Sequence, residues 1–166
     1  VDVDGVLNAF RAVHSTPYLR TAEANGYPIT FNPRWGADLL ALAARTKAEL
    51  VWCTTWQDLA NEHIAPLVGL PQLPYIPLTM PKMSASVGMT KAFSIARWHE
   101  AHGALPFIWF EDEMDAALHA SVYLPDVDHE VVWVSPQTGL TPAHFEQAHN
   151  ALHRITPIER VPDEAV

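Results

Sequence analysis

Cysteine is nearly missing from this chain. A single thiol, Cys53, in 166 residues excludes an intramolecular disulfide framework. It sits inside the apolar stretch LVWCT, where a buried core thiol is the expected reading, and a reducing, cytoplasmic compartment is the matching expectation. Basic residues are scarce as well. Ten Lys and Arg face nineteen Asp and Glu, for a net charge of −9. That balance argues against a broad basic surface tracking a nucleic-acid backbone, yet leaves room for a small local phosphate site. No apolar run approaches the ~20 residues needed to span a bilayer, so no membrane partner is expected. The nine His are scattered, without an H-E-x-x-H or a Cys/His cluster, so zinc is not expected. No repeat, low-complexity segment or linker divides the chain. With 49% apolar and 17% charged residues, one globular domain over 1–166 is expected, with 156–166 as a tail.

What is present alternates in type. Asn25-Gly26 between two strand-like runs predicts a small hairpin over 18–31. Apolar periodicity predicts helices over 34–46, 56–69, 90–103 and 141–155, the last with Thr141 as N-cap and Pro142 at its first position. Short apolar runs predict strands over 49–54, 73–78, 106–112 and 130–135. The chain opens at Val1 without an initiator Met, so a first strand truncated at its N-terminus is expected. Strands alternating with helices predict an α/β fold with a parallel sheet.

The opening VDVDGVL places two acids two residues apart before a glycine. A calcium loop does not fit, because its bidentate Glu would fall at Arg11. Ligands in parallel sheets bind beyond the carboxyl ends of the strands, and three expected strands end in polar groups: Asp2 and Asp4; Thr54 and Thr55; Glu111 and Asp112, with Asp115 just beyond. Lys91 is expected to open the helix after the third strand. Carboxylates crowded into one crevice repel and call for a hard cation such as Mg²⁺. A carboxylate can attack a phosphoryl group to give an aspartyl-phosphate, and a second acid on the same side can move the proton. Threonine and lysine can hold phosphoryl oxygens.

Motif by motif, the chain resembles the haloacid dehalogenase (HAD) superfamily, in DVDGVL, LVWCT, Lys91 and IWFED. The finer resemblance is to the HAD domain of Swiss Army Knife RNA-repair proteins, in DVDGVLN, LVWCTTW with Ala60-Asn61, WFEDE and Gly139-Leu140-Thr141, over roughly residues 1–153. It implies a Rossmannoid three-layer sandwich about a central parallel sheet, with the hairpin as a small flap in place of a large cap. It also implies Asp2 as nucleophile, Asp4 as general acid/base, Thr54 as phosphate ligand and Lys91 as the residue steadying both. Mg²⁺ would be held by Asp2, the Asp4 backbone carbonyl and Asp112, with Glu111 beside it directly or through water. Glu111 departs from the aspartate usual at that place. Asp4 favours phosphate-ester hydrolysis, since dehalogenating members lack an acid there and ATPases carry Thr. The expected substrate is a phosphorylated small molecule, a nucleotide or a polynucleotide end phosphate. Arg11, His14, Arg34 and Lys82 are candidate contacts, Thr55 a second phosphate contact, and Trp56 a base-stacking platform or a core residue. A phosphotransferase using the same site and a non-catalytic binding module are the alternatives.

Overall fold

The computed structural model describes residues 1–10, 18–81 and 85–155. Arg11, His14, Lys82 and the tail 156–166 lie outside the described residues. The fold is mixed α/β, with a small parallel sheet and a separate antiparallel hairpin.

The hairpin forms where Asn-Gly predicts it. β1 (Arg20–Ala24) and β2 (Tyr27–Phe31) pair antiparallel with Ala24 opposite Tyr27. Asn25 and Gly26 adopt φ of 50° and 80°, which a tight two-residue turn requires at both central positions. Ile29 and Phe31 are buried in the core. The base of the hairpin is fastened to the opening segment: the Ala9 N–H donates to the Thr30 carbonyl, and the Thr30 N–H donates to Asn8 Oδ1.

Helix α1 (Trp35–Thr46) buries Trp35, Leu39 and Leu42 along one stripe, with Asp38 in its first turn and Arg45 in its last, both favourable to the helix dipole. The single helix expected over 56–69 is corrected to two short pieces, α2 (Leu59–His63) and α3 (Ala65–Val68). Pro66 has no N–H and interrupts the helical ladder. Helix α4 (Val87–His102) starts one turn earlier than the sequence predicts, because Ser86 caps it: its Oγ accepts from the Met89 N–H at 3.0 Å. Lys91 is therefore in the second turn rather than at the opening.

β3 (Phe107–Glu111) and β4 (His129–Trp133) pair in parallel, Phe107 opposite His129. Between them in sequence lies α5 (Ala116–Tyr123), which sequence reasoning assigned to no element. It buries only Ala116 and Ala120, too small to draw an apolar stripe. Helix α6 (Pro142–Ile155) begins at its proline as expected.

Past β3 the parallel order continues as scattered backbone bonds. The Asp2 N–H donates to the Phe110 carbonyl, the Cys53 N–H to the Val1 carbonyl, and Trp52 bridges Tyr75 in parallel. The strands expected over 49–54 and 73–78 are thus corrected to extended segments with one bridge between them. Pro74 and Pro77 flank Tyr75 and Ile76 and withhold two donors from any ladder. Asn61 compensates. Its Oδ1 accepts from the Trp52 indole and the Leu73 N–H, and its amide donates to the Leu73 carbonyl, all within 2.9 Å.

Cys53 is buried and free, as its setting predicts, and burial pushes its thiol up to about 12. At the amino ends of β3 and of the 51–53 segment lies an apolar cavity of about 480 Å³, lined by Val1, Leu50, Val51, Ile95 and Phe107 among others. The Val1 nitrogen is buried there and donates to the Val51 carbonyl at 2.7 Å.

Candidate active site

The opposite, carboxyl end of the same strands is charged. Asp2 is pinned beside the end of β3 by its N–H bond to Phe110. Glu111 is the last residue of β3, and Asp112 follows it. One carboxylate oxygen from each of Asp2, Glu111 and Asp112 lies within 4.8 Å of the others. Lys91 reaches across from α4 and bonds two of the three: its Nζ is 2.7 Å from Asp2 Oδ2, 2.8 Å from Glu111 Oε2 and 2.9 Å from Glu111 Oε1. Asp2, Lys91 and Glu111 are each at most 2% exposed.

Burying these charges shifts them. Burial, then the charge of Asp2, pushes the Glu111 carboxyl up to about 8, against the pull of Lys91. Burial and Asp2 raise Asp112 as well. For Lys91, burial works against the charge, but Asp2 and Glu111 outweigh it and hold the ammonium well above its ordinary range. Three carboxylates around one ammonium leave a negative surplus, which a divalent cation or the backbone must offset. Glu111 is already committed: Lys91 takes both its oxygens, and Oε1 also accepts from the Asp112 and Glu113 N–H groups at 3.2 Å. Asp2 and Asp112 are the carboxylates with oxygens left to offer. Two hard oxygen donors of this kind fit a Mg²⁺ that keeps several waters.

Gly5 makes room for Asp112. Its φ is +76°, and a Cβ there would fall 2.2 Å from Asp112 Oδ2. The glycine after the two acids is thus required both by its left-handed backbone and by the side chain packed on it. Trp133, half exposed, donates its indole N–H to the Asp112 carbonyl at 2.9 Å.

Asp4 stands apart from the three-carboxylate cluster. Its Oδ1 accepts from Asn8 Nδ2 and its Oδ2 from Trp56 Nε1, each at 2.9 Å. Trp56 is thus neither a plain core residue nor a free stacking surface, and Tyr27 meets it edge-on with ring centroids 6.0 Å apart. Thr54 is buried at the end of the 51–53 segment, and its Oγ1 accepts from the Trp56 N–H at 3.3 Å. Thr55 is exposed.

Two other expected residues fall away from the cluster. Asp115 bonds Ser86 Oγ at 2.6 Å and pairs with His119 at 3.2 Å, at the start of α4. Arg34 lines a separate groove of about 1050 Å³ with Trp35, Asp38, Phe145 and His149. Sequence reasoning gave no role to Asn8, although it closes the DVDGVLN motif, nor to Trp133, which lies on the last strand with no polar neighbour to mark it.

The family described as the HAD domain in Swiss Army Knife RNA repair proteins matches residues 1–145. No curated protein and no solved structure matches the chain. The chain belongs to that HAD-domain family.

Proposed function

We propose that this HAD-domain protein is a Mg²⁺-dependent phosphate-monoester hydrolase working through Asp2. The observation that carries the reading is the buried set of Asp2, Lys91, Glu111 and Asp112, with Lys91 2.7 Å from the proposed nucleophile. A carboxylate so placed has its charge held by an ammonium and its orientation fixed before substrate arrives, which is the preorganisation a nucleophile needs.

In the first step an Asp2 oxygen bonds to phosphorus while the ester P–O bond breaks. The bonding pair leaves with the alcohol oxygen, which takes the proton from Asp4. In the second, water adds to phosphorus, Asp4 takes one of its protons, and the Asp2–phosphorus bond breaks to release phosphate. Lys91 and the Thr54 hydroxyl would hold phosphoryl oxygens. Asp2 and Asp112, with the Asp4 carbonyl, would hold Mg²⁺, which when bound offsets charge on those oxygens. Glu111 serves this site by anchoring Lys91.

The substrate class is a nucleotide or a polynucleotide end phosphate. The family's description names RNA repair, and Tyr27, edge-on to the Trp56 ring that bonds Asp4, and Trp133, bonded to the Asp112 carbonyl, offer exposed rings suited to a base. A phosphorylated small molecule is the other partner class. The three-layer sandwich belongs to the same reading, supported by the bonded order from Tyr75 through Trp52, Val1 and Phe110 to β4. So do a single domain over 1–166 and a cytoplasmic place. Among the described residues no helix is long and apolar enough to cross a membrane.

The test is phosphate release with Mg²⁺ from an aryl phosphate, nucleoside monophosphates, and RNA or DNA carrying 3′- or 5′-phosphate ends. Asp2→Asn is expected to lower the rate by roughly 10³-fold or more with an unchanged fold, and a chelator is expected to stop release until Mg²⁺ returns. An active Asp2→Asn variant, or full activity in chelator, ends the proposal. An added acceptor alcohol separates hydrolysis from phosphoryl transfer, since only a transferase gives a new ester.

A further inference from the structure

The two oxygens of Asp4 are each claimed by a neutral N–H donor. Asn8 Nδ2 bonds Oδ1 and Trp56 Nε1 bonds Oδ2, both at 2.9 Å. No ion pair is recorded for this carboxylate among the described residues, unlike Asp2 and Glu111. A carboxylate has about four lone-pair sites. With one donor on each oxygen the plane of the group is fixed, and one site on each oxygen stays open to a travelling proton.

Both donors are themselves braced from the hairpin. Asn8 returns alongside Asp4 because the Gly5 N–H donates to the Asn8 carbonyl, closing the turn after the acids. The other end of the Asn8 amide accepts from the Thr30 N–H of β2 at 2.9 Å, which also settles that the amide presents its NH₂ to Asp4. The Trp56 ring is met edge-on by Tyr27, at the start of β2. Two routes therefore run from one strand of the hairpin to the two oxygens of one carboxylate.

We infer that Asn8 and Trp56 are positioning residues for Asp4, held in place by β2, and that they set the carboxyl group for proton delivery to the leaving alcohol. The inference rests on the phosphohydrolase reading above and refines its first step. In that step the P–O bond breaks, its electron pair goes to the alcohol oxygen, and the Asp4 proton goes to the same atom. An alkoxide needs that proton badly. A nitrophenolate leaves without it. Loss of position should therefore cost the alkyl ester and spare the aryl ester, whereas a general loosening of the fold would slow both alike.

The experiment compares kcat/KM, which reads the step up to alcohol release and not the shared hydrolysis of the phosphoenzyme, on an alkyl phosphate, such as a nucleoside 5′-monophosphate, and on 4-nitrophenyl phosphate, with Mg²⁺, for the wild-type chain, Asn8→Ala and Trp56→Phe. Trp56→Phe removes the N–H and keeps a ring for Tyr27. Each variant is expected to lose about tenfold or more on the alkyl ester and about twofold or less on the aryl ester. Folding is checked by thermal melting, and a variant that melts below the assay temperature is replaced by Asn8→Leu or Trp56→Leu at the same position, which also lack the donor. Equal losses on both esters, or none on either, in an active protein overturn the positioning role alone. A wild-type chain that releases phosphate from neither ester overturns the phosphohydrolase reading and this inference with it.

Discussion

The parallel strands have two ends, and they are built on opposite principles. At the carboxyl end, Asp2, Lys91 and Glu111 bury charge and satisfy it with short bonds. At the amino end, Val1 and its neighbours are apolar but leave about 480 Å³ unfilled. The first arrangement costs stability through desolvation and fixes the geometry of Asp2, the proposed nucleophile. The second costs stability through missing contacts and secures nothing at the acids. The same strands thus carry a tight polar cluster and a loose apolar one, a few residues apart.

The sharpest way to break the contrast is to unpair the carboxyl end. Lys91→Met leaves Asp2 and Glu111 buried with no cation between them. Removing one partner of a buried ion pair costs roughly 3–5 kcal/mol, so Tm should fall on the order of 10 °C. The double variant Lys91→Met with Glu111→Gln should recover part of that loss above about pH 8, where Glu111 is otherwise a second stranded charge. Thermal melting without metal reads both. A Lys91→Met protein as stable as wild type would mean that Asp2 and Glu111 are not buried as charges, and the cluster would lose its meaning as a preorganised site.

The next test works on the other end. Val51→Ile adds one methylene to the lining of the cavity. The gain expected is about 0.8 kcal/mol, or roughly 2 °C in Tm. KM and kcat should move little, since the lining of the cavity contains none of Asp2, Glu111 and Asp112. A Val51→Ile protein with unchanged Tm would show that the cavity closes on its own in solution. One with strongly raised activity would show that the two ends are coupled.

Legibility in the sequence follows the same division. The candidate site was readable where chemistry is local: acids at the end of an apolar run mark the end of β3 and the carboxylate cluster there, and Asn25-Gly26 names the hairpin turn. The fold was less readable where tertiary bonds decide. Residues 49–54 have the composition of a buried strand, but their neighbour over 73–78 is broken by Pro74 and Pro77, so a single bridge forms. Pro66 split a helix whose apolar pattern ran through it, and α5 hid because its core face is two alanines. The role of Glu111 could not be read from IWFED. Its contact with Lys91 depends on α4 starting at Ser86, which puts the lysine in the second turn and within reach of β3.

The last test concerns pH, and its sign follows from Glu111. Burial and Asp2 raise its carboxyl from the ordinary 4.5 to about 8 in the folded chain. The fold therefore favours the protonated form. That contribution is complete below about pH 4.5, where Glu111 is protonated in folded and unfolded chains alike, and it is lost as pH rises toward 8. Without metal, the Glu111 contribution should fall between pH 5 and 8, while Lys91, whose pKa is raised, keeps its own contribution throughout that window. Glu111→Gln keeps the shape and removes the titration, so its stability should be flatter with pH than that of wild type. Urea midpoints for both proteins across that range, in chelator, give the comparison. Parallel curves would mean that Glu111 is already ionised at pH 5, its charge fully met by Lys91 and the Asp112 and Glu113 amides. The carboxyl end would then be a completed ion pair awaiting no proton, and the contrast with the unfilled amino end would widen.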